Sequence, residues 1–342
     1  MSPTVSVVVS VYNRFELTKR AVESVLAQTV PVFEVLLIDD GSFDGTSALL
    51  PQYIASNPCW RERVRYSYQE NQGPGAARNY GITQAKGEWL AFIGNDDLWL
   101  PQKLEWQFRA LAQFQGQCAA CITDAWFMNN PRMKMTLFQL AGKEHCGPMG
   151  MIGDPLSYML NRSATAGVHP VWLQNLLTRT DVARRAGGFD PELRFGDDDD
   201  FVFRLGCETR FCFVNMPMVL IDRTPPPERH VGANRRWDDE DFRLRMAQRR
   251  FEKRLMLLDH SRADIRKAVL ADLASVHSGW ANWYLEHEEY AKARQSVAAA
   301  MRFHPTHTLA VKWALTHAAP KLARRLVRER ERKSVRQRAG IG

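Results

Sequence analysis

Short runs of apolar, β-branched residues alternate with segments of helical periodicity along the first 115 residues of the chain. Strands are predicted over residues 5–10, 33–38, 64–68 and 89–93, and helices over residues 15–28, 46–56, 76–85 and 101–115. The first run, Val5–Ser10, is typical of a strand that is buried on both faces. This alternation predicts an α/β domain with a mainly parallel central sheet and helices on both of its faces.

Two of the predicted strands end in pairs of aspartates. Asp39 and Asp40 follow the second predicted strand, and Asp96 and Asp97 follow the fourth. Right-handed crossovers bring the carboxyl ends of parallel strands to one edge of a sheet, where ligands bind, so we expect both pairs at one binding edge. A strand-end turn capped by Asp39 would explain the first pair without a ligand. Two pairs on neighbouring strand ends favour a site.

Four consecutive aspartates, Asp197–Asp200, stand between Gly196 and the apolar run that begins at Phe201. Adjacent carboxylates repel one another, so a fold that gathers them needs a cation, a proton donor or a helix N-terminus nearby. The alternative is a solvated acidic turn that caps a helix starting near Phe201. The two upstream pairs favour a functional site here as well.

Composition places the chain among globular proteins of more than one domain. It has 342 residues and is 45% hydrophobic, and no apolar run approaches the roughly 18 residues that span a bilayer. Residues 1–4 lead directly into a strand-like run without a leader pattern, so we expect no signal peptide and a cytoplasmic location.

Cys118 and Cys121 form a lone CxxC in an apolar stretch, and we interpret them as buried free thiols rather than metal or redox ligands.

The net charge of +8 is concentrated in one segment. Residues 321–338 contain nine Lys or Arg and two Glu, whereas the remaining chain contains 37 basic and 36 acidic residues. The body of the protein is therefore close to neutral. This argues against a nucleic-acid-binding face on the main domain, and no nucleic-acid partner is expected.

The residues at the predicted strand ends suit a nucleotide and a metal ion. Tyr12 ends the first strand and can place its ring beside the first aspartate pair, whose carboxylates can accept hydrogen bonds from a base or a ribose. The second pair offers hard oxygen ligands, which Mg²⁺ or Mn²⁺ binds together with phosphate oxygens and water. Arg78 lies near the start of a helix after a glycine-rich turn and can add a phosphate contact.

In these motifs the chain resembles the family-2 glycosyltransferases of the GT-A fold. The resembling segments cover roughly the first 230 residues in the family's order, and they are VSVVVSVYNR (Val5–Arg14), LLIDDGSFDGT (Leu36–Thr46), NQGPGAARNYGITQAKGEWLAFIGNDDLWLP (Asn71–Pro101) and GGFDPELRFGDDDDFVFR (Gly187–Arg204). The resemblance implies an α/β, GT-A nucleotide-sugar-binding fold with a mainly parallel central sheet. From about Asp239 the sequence itself predicts an all-helical region.

The resemblance also implies a nucleotide site and a metal site. Tyr12 and Asp40 would hold uracil or a similar base, with Asp39 nearby. Asp96, together with Asp97, would hold the diphosphate through a divalent metal, with Mg²⁺ or Mn²⁺ as the cofactor.

The same resemblance places the catalytic base at Asp198 and assigns Asp197 to the acceptor site. Members often carry a basic residue or histidine near the position of His230 that reaches the metal-bound diphosphate. An ordinary loop histidine explains His230 equally well.

Two positions depart from the family's pattern. The family usually carries Asp-x-Asp-Asp after the fourth strand, and here the first of these positions is Gly94. Gly94 has no side chain to bind metal or ribose, so weak metal affinity is expected, with Asn95 as a partial substitute. Asp197 stands where the family usually has Glu, which keeps the charge and shortens its reach by one methylene.

The implied activity is inverting glycosyl transfer. A sugar would move from a nucleotide-diphosphate sugar, expected to be a UDP-sugar, to a hydroxyl of a glycan or lipid-linked acceptor in surface polysaccharide biosynthesis. One alternative is a catalytically degenerate GT-A domain that binds the nucleotide sugar and uses its helical region as an interaction module. The other is a sugar nucleotidyltransferase, which would want glycines and basic residues just after the first strand, where Val11–Arg14 has no glycine.

The proline-rich segment 224–228 suggests where the first domain ends. We predict a GT-A catalytic domain over residues 1–230, a helical region over 231–319 and a basic amphipathic tail over 320–342. The helical region contains either one tetratricopeptide-like hairpin or a plain helical hairpin.

In the tail, Leu322, Leu326 and Val327 lie near one helical face, so the tail can bind an anionic membrane surface. A disordered, solubilising tail is the alternative.

Overall fold

The structure of the protein is a computed structural model that describes residues 3–129, 134–143, 145–160, 169–222 and 239–339, with side chains up to residue 329. The chain divides into two compact units, Met1–Arg235 and Arg236–Gly342. The proline-rich segment at 224–228 lies outside the described residues.

The described part of the first unit contains one nine-stranded sheet. Its strands are β1 (Val5–Val11), β2 (Glu34–Asp40), β3 (Val64–Gln69), β4 (Trp89–Gly94), β5 (Leu98–Trp99), β6 (Cys118–Met128), β7 (Met149–Ile152), β8 (Leu176–Arg179) and β9 (Arg210–Asp222). The order across the sheet is β3-β2-β1-β4-β8-β6-β9-β5, and β7 also pairs with β9.

Parallel pairing dominates this sheet. The ladders β1–β2, β1–β4, β2–β3 and β6–β9 are parallel, and each is at least six residue pairs long. The ladders that involve β5, β7 and β8 are antiparallel, and each is at most four pairs long. The prediction of a mainly parallel sheet is confirmed.

Helices connect the strands of the first unit. They are α1 (Phe15–Leu26), α2 (Thr46–Ser56), α3 (Pro58–Arg63), α4 (Pro74–Gln84), α5 (Lys103–Gln113), α6 (Leu137–Leu140), α7 (Pro155–Leu160), α8 (Thr180–Arg185) and α9 (Asp197–Glu208), with a 3₁₀ turn at Leu173–Asn175. The predicted start of α5 at Pro101 is wrong by two residues, because the Lys103 N–H donates to the Leu100 carbonyl and closes a turn before the helix. The alternative interpretation of the acidic run, a turn before a helix that starts near Phe201, is wrong, since α9 begins at Asp197.

Close packing of α4 on β1 positions the edge where the acidic pairs lie. Val8 of β1 is 1% exposed and faces α4. A β-carbon on Gly81 of α4 would lie 2.4 Å from Cγ1 of Val8, so only glycine allows this approach. The N-terminus of α4 is thereby held at the carboxyl end of the parallel strands.

The second unit is helical wherever the structure describes it. Its helices are α10 (Glu240–Leu257), α11 (Ala263–Glu286), α12 (Tyr290–Phe303), α13 (His307–Ala318) and α14 (Pro320–Ala339). Asp239 caps α10 by accepting a hydrogen bond from the Phe242 N–H at 3.0 Å. Within the described ranges, no helix combines the length and the apolar character that a bilayer crossing requires.

The interpretation of the cysteines as free thiols is confirmed. Cys118, Cys121 and Cys212 are buried, and none of the six cysteines is in a disulfide. The burial of the CxxC follows from its position in β6, which lies between β8 and β9 in the sheet.

Candidate active site

The two aspartate pairs lie at the carboxyl edge of the parallel strands, as expected. Asp39 and Asp40 are the last two residues of β2, and Asp96 and Asp97 follow directly after β4. Tyr12 follows β1, which lies between those two strands. The sheet order therefore gathers these five predicted residues on one edge.

The first pair is held by hydrogen bonds from its own unit. Asp40 is 3% exposed, and it accepts hydrogen bonds from the Gln69 side chain and from the Gln72 and Gly73 N–H groups at 2.8–2.9 Å. Asp39 is fully buried, and it accepts from the Ser42 N–H and from the Tyr66 hydroxyl, both at 2.8 Å.

The two aspartates differ in whether a ligand can donate a further hydrogen bond to them. Burial, with the hydrogen bond to Asp39 as the next cause, raises the pKa of Tyr66, so its hydroxyl stays protonated and continues to donate. A carboxylate has about four acceptor positions, and the partners of Asp40 use three of them. Asp40 therefore keeps one acceptor position at a slightly exposed site, whereas Asp39 keeps more acceptor positions but is fully buried and so is not accessible to a ligand.

Tyr12 forms one wall of the same region with Phe43. Their ring centroids are 5.9 Å apart in an edge-to-face arrangement, and Phe43 is 71% exposed. Phe43 was not among the residues that the sequence indicated. An exposed aromatic ring beside a tyrosine is suited to contact with a flat base.

The turn after β1 is built from two consecutive residues in the left-handed region. Asn13 has φ 61° and Arg14 has φ 70°. Such conformations cost roughly 1–2 kcal/mol for residues other than glycine, so neighbouring loops must hold them. The Asn13 N–H donates to Ser42 Oγ at 2.7 Å, and the Arg14 N–H donates to Asp44 Oδ2 at 2.7 Å. The loop after β2 therefore fixes the turn after β1.

The second aspartate pair converges above Gly94. A β-carbon on Gly94 would lie 2.6 Å from Oδ2 of Asp97 and 3.0 Å from Oδ1 of Asp96. The other oxygen of each carboxylate faces the protein, because Asp97 Oδ1 accepts from the Asp222 N–H at 2.9 Å and Asp96 Oδ2 pairs with Arg14 at 3.0 Å.

This arrangement fits a divalent cation that also binds a ligand's phosphates. Two carboxylate oxygens turn toward the space that a side chain at position 94 would fill, and hard oxygens are the ligands that Mg²⁺ and Mn²⁺ prefer. The described residues contain no group of three or more metal-ligating side chains, so phosphate oxygens and water would have to complete the coordination.

The four aspartates of the acidic run occupy the first turn of α9. Gly196 precedes them with φ 72°, a conformation that glycine adopts without strain. The N-terminus of a helix stabilises carboxylates through its unpaired N–H groups and its dipole. Asp197, Asp199 and Asp200 are nevertheless buried, which a solvated turn would not produce.

Each buried aspartate of the run has a basic partner. Arg78 pairs with Asp197 at 2.8 Å, His169 with Asp199 at 3.2 Å, and Arg204 with Asp200 at 2.7 Å. Asp198 is partly exposed, and its carboxylate accepts from the Asp199 N–H at 2.8 Å. Within the described ranges Asp198 contacts no basic side chain.

Arg78 joins α4 to α9. Besides Asp197, its guanidinium lies over the ring of Phe189, 5.3 Å from the centroid. A β-carbon on Gly75 would lie 3.1 Å from Oδ2 of Asp197, so the start of α4 directly abuts the start of α9. Burial raises the pKa of Asp197, the Arg78 guanidinium opposes that rise, and the Asp198 carboxylate adds to it.

Some site residues were not identified from the sequence, and one prediction cannot be placed. Arg14, His169 and Phe43 all belong to the edge or to the acidic run, yet no local pattern singles them out. Their partners are far away in the chain, so only the tertiary fold identifies them. The predicted residue His230 lies outside the described residues.

Comparison with known proteins gives one family. The family model described as glycosyl transferase family 2 matches residues 6–166. An uncharacterized glycosyltransferase of Rickettsia felis is 44% identical over 110 residues, which are 32% of this chain. The present chain spans 17% of the length of that relative.

A second relative is similar over more of its length. The Bacillus subtilis protein TuaG, named "Putative teichuronic acid biosynthesis glycosyltransferase", is 32% identical over 186 residues, which are 53% of this chain and 70% of TuaG.

Among solved structures, S. aureus TarS 1–349 in complex with UDP-GlcNAc superposes with a TM-score of 0.63. The superposition covers 97% of this chain and 92% of TarS 1–349 at 17% identity, which shows a shared fold. The predicted GT-A fold with a helical region after it is confirmed. With the motif edge, the family model and TuaG in agreement, the chain belongs to glycosyltransferase family 2.

Proposed function

We propose that this chain is an inverting glycosyltransferase that moves a sugar from a UDP-sugar to a hydroxyl of a glycan or lipid-linked acceptor. The observation that carries the proposal is the pairing within the acidic run. Arg78 and Arg204 form ion pairs with two of its aspartates, His169 Nε2 lies 3.2 Å from a third, and Asp198 alone has no basic partner among the described residues. A partly exposed carboxylate without a cation is available as a proton acceptor.

The edge after β1 and β2 would hold the nucleotide. The rings of Tyr12 and Phe43 offer an aromatic corner for the base, and the remaining acceptor capacity of Asp40 suits a base N–H. Asp39 would act by holding the loop through Ser42 and Tyr66 rather than by direct contact. TarS supports a uridine nucleotide, because it has been solved with UDP-GlcNAc.

The edge after β4 would hold the diphosphate. Asp96 and Asp97 would bind Mg²⁺ or Mn²⁺, which supplies positive charge against the charge that develops on the leaving diphosphate. Arg78 has five N–H donors, of which NH1 is engaged by Asp197, so it can add a phosphate contact while that pair is kept. His230, which the family resemblance associates with the same metal-bound diphosphate, is included in this proposal.

Asp198 would act as the general base. It would take the proton from the acceptor hydroxyl while that oxygen attacks C1 of the sugar. The bond between C1 and the diphosphate oxygen breaks, its electron pair leaves with the nucleoside diphosphate, and the configuration at C1 inverts. Asp197 would lie on the acceptor side of this base, where Arg78 holds its carboxylate in place.

The biological setting is proposed from the relatives and from the basic tail. The name of TuaG refers to teichuronic acid biosynthesis, which supports a surface polysaccharide as the product class. The tail of residues 320–342 would hold the enzyme on the cytoplasmic face of an anionic membrane, beside a lipid-linked acceptor.

The test is a donor screen. The full chain is incubated with Mn²⁺ and with UDP-glucose, UDP-galactose, UDP-GlcNAc or GDP-mannose, and the release of free nucleoside diphosphate is measured with and without a mixture of acceptor glycans. We expect release of UDP from at least one UDP-sugar, increased by acceptor. Release of GDP alone would overturn the uridine assignment.

The same screen separates catalysis from binding alone. Tight binding of UDP-sugars without any release of UDP, under conditions where the acceptor mixture is varied widely, would favour a nucleotide-sugar-binding domain without activity. Family membership favours glycosyl transfer over nucleotidyl transfer. Formation of a UDP-sugar from UTP and a sugar phosphate would contradict that assignment.

A further inference from the structure

Arg14 lies at the edge of the proposed donor site and is paired with a predicted metal ligand. Its guanidinium NH1 is 3.0 Å from Oδ2 of Asp96, although the two residues are 82 positions apart. Both side chains are partly exposed, at 21% and 26%. The pair is therefore reachable by a ligand at the carboxyl edge of the sheet.

The local backbone directs Arg14 across the sheet edge. Asn13 and Arg14 are both left-handed, and hydrogen bonds from the loops after β2 and β4 hold this turn. The loop after β4 contributes through Asn95, whose side-chain N–H donates to the Asn13 carbonyl at 3.2 Å. A strained conformation that two neighbouring loops hold in place is a feature that functional sites often show.

Arg14 and a metal ion would share one carboxylate. Asp96 gives Oδ2 to Arg14 and turns Oδ1 toward the space above Gly94. A divalent cation at Oδ1 would place two positive groups on one carboxylate, and their repulsion would weaken metal binding. A diphosphate brought by the donor would balance both positive groups at once.

We propose that Arg14 is a diphosphate-binding residue that Asp96 holds in position until the donor arrives, and that it competes with the divalent cation for Asp96 when no donor is bound. Guanidinium is suited to this role because its N–H donors match phosphate oxygens in pairs. The inference rests on the proposed function, because it requires a nucleoside diphosphate at this edge.

Two consequences follow from the shared carboxylate. Without metal, Arg14 gives the protein some affinity for a nucleoside diphosphate. Without nucleotide, Arg14 lowers the affinity for metal. A residue that only maintained the turn after β1 would not produce opposite effects on these two affinities.

The experiment measures both affinities in the full chain. Binding of UDP is measured by calorimetry in EDTA, and binding of Mn²⁺ without nucleotide is measured from the loss of the free-ion electron paramagnetic resonance signal. For Arg14→Gln we expect UDP binding in EDTA to weaken about tenfold or more, as for loss of a hydrogen bond to a charged group. We expect Mn²⁺ binding by the same variant to become severalfold tighter.

Two further variants act as controls. Arg14→Asn is also neutral but adopts the left-handed region readily, so it should behave like Arg14→Gln if charge rather than backbone strain is responsible. Arg20→Gln removes the same charge from an exposed position of α1 and should leave both affinities within about twofold of the wild type, as expected for an exposed charge.

The outcomes separate the inference from the proposed function. If the wild type binds UDP and both Arg14 variants bind it equally well in EDTA, or if they bind Mn²⁺ more weakly, the inference is wrong while the proposed function stands. If the wild type binds neither UDP nor GDP with or without Mn²⁺, the proposed function is wrong and the inference falls with it.

Discussion

The carboxylates of the acidic run have different environments although their sequence is uniform. Asp200 is 1% exposed and accepts two hydrogen bonds from Arg204, at 2.7 and 2.9 Å. Asp198 lies two residues earlier and is bonded only to the N–H of the next residue among its described contacts. The carboxylate of Asp200 is therefore fixed by an ion pair, whereas the carboxylate of Asp198 has no basic partner among the described residues.

Substitution of these two aspartates should separate stability from activity. Asp198→Asn keeps the size of the side chain and removes the proton acceptor, so we expect the transfer rate to fall by about 10²-fold or more with little change in donor affinity or melting temperature. Asp200→Asn leaves Arg204 without its charge partner, so we expect a loss of roughly 1–3 kcal/mol in the free energy of unfolding. Steady-state kinetics, calorimetric donor binding and urea unfolding provide the measurements. Near-normal turnover by Asp198→Asn would place the base elsewhere.

The sequence predicted which residue types gather at the edge but not which side chains pair with them. Acidic pairs at strand ends are visible because their position depends on local pattern and on the crossover rule. The partners are not visible, because Arg78 and Asp197 are 119 positions apart. The space above Gly94 is a further example. From the sequence alone, glycine at position 94 indicates the loss of a metal ligand. In the structure, the carboxylates of Asp96 and Asp97 turn toward the space that a side chain at position 94 would fill.

At the level of the elements, the strands of the parallel half were predictable and those of the other half were not. β1, β2 and β4 consist mainly of apolar residues and are almost entirely buried, as is typical of strands covered on both faces. β7 and β8 have four residues each, too few to show a period. β9 contains Pro217, which pairs with Asp124 where the register shifts, and a proline inside an apolar run argues against a strand.

Helix α5 contains a feature that makes stability depend on pH. Its first residue, Lys103, is fully buried, with Nζ 3.0 Å from Gln107 Oε1 and 3.9 Å from the ring centroid of Trp99. Burial lowers the pKa of Lys103 to about 7. Between that value and the ordinary lysine pKa of 10.5, the unfolded chain binds more protons at this lysine than the folded chain does. Its destabilising effect is therefore complete below pH 7 and disappears as the pH rises toward 10.5.

Replacement of this lysine should stabilise the protein most at low pH. We expect Lys103→Met to unfold at a higher urea concentration than the wild type at pH 7. Burial of lysine costs free energy because the side chain must be buried charged or must lose its proton, and methionine has neither cost. That advantage should shrink by on the order of 1 kcal/mol per pH unit between pH 7 and 9.5. Lys86→Met, at an exposed position of the same unit, is the matched control. A difference between Lys103→Met and wild type that does not change with pH would contradict a neutral buried lysine.

For the whole molecule, net positive charge is concentrated on α14, which also carries two exposed leucines. Leu322 and Leu326 are 47% and 45% exposed, whereas Ala323 and Val327 pack against the core of the second unit. The predicted apolar face of the tail is therefore narrower than expected, because Val327 faces inward. The exposed basic residues Lys321, Arg325 and Arg328 accompany the two leucines. A narrow apolar face with many basic residues favours electrostatic, reversible binding to an anionic surface.

Membrane binding should accordingly depend on charge and salt more than on the leucines. We expect the full chain to sediment with phosphatidylserine-containing vesicles at low salt, and to sediment less at 0.5 M salt or with purely zwitterionic vesicles, as screening requires. Replacing Lys321, Arg325 and Arg328 together by serine should weaken binding by roughly 10²-fold, at about 1 kcal/mol for each basic residue near the surface. These substitutions leave the buried Ala323 and the partly buried Val327 in place, so the packing of α14 on the second unit is kept.

The matched control removes three positive charges from the first unit instead of from α14. Arg20, Arg61 and Lys86 are exposed residues of the first unit, and their joint replacement by serine changes the net charge equally. If charge on α14 is the anchor, this control should bind vesicles within about threefold of the wild type, because it leaves the basic residues of α14 unchanged. Equal weakening by both triple variants would show that net charge, rather than the tail, drives the binding. Leu322→Ser with Leu326→Ser should produce the smaller effect, because two half-exposed leucines bury little additional apolar area.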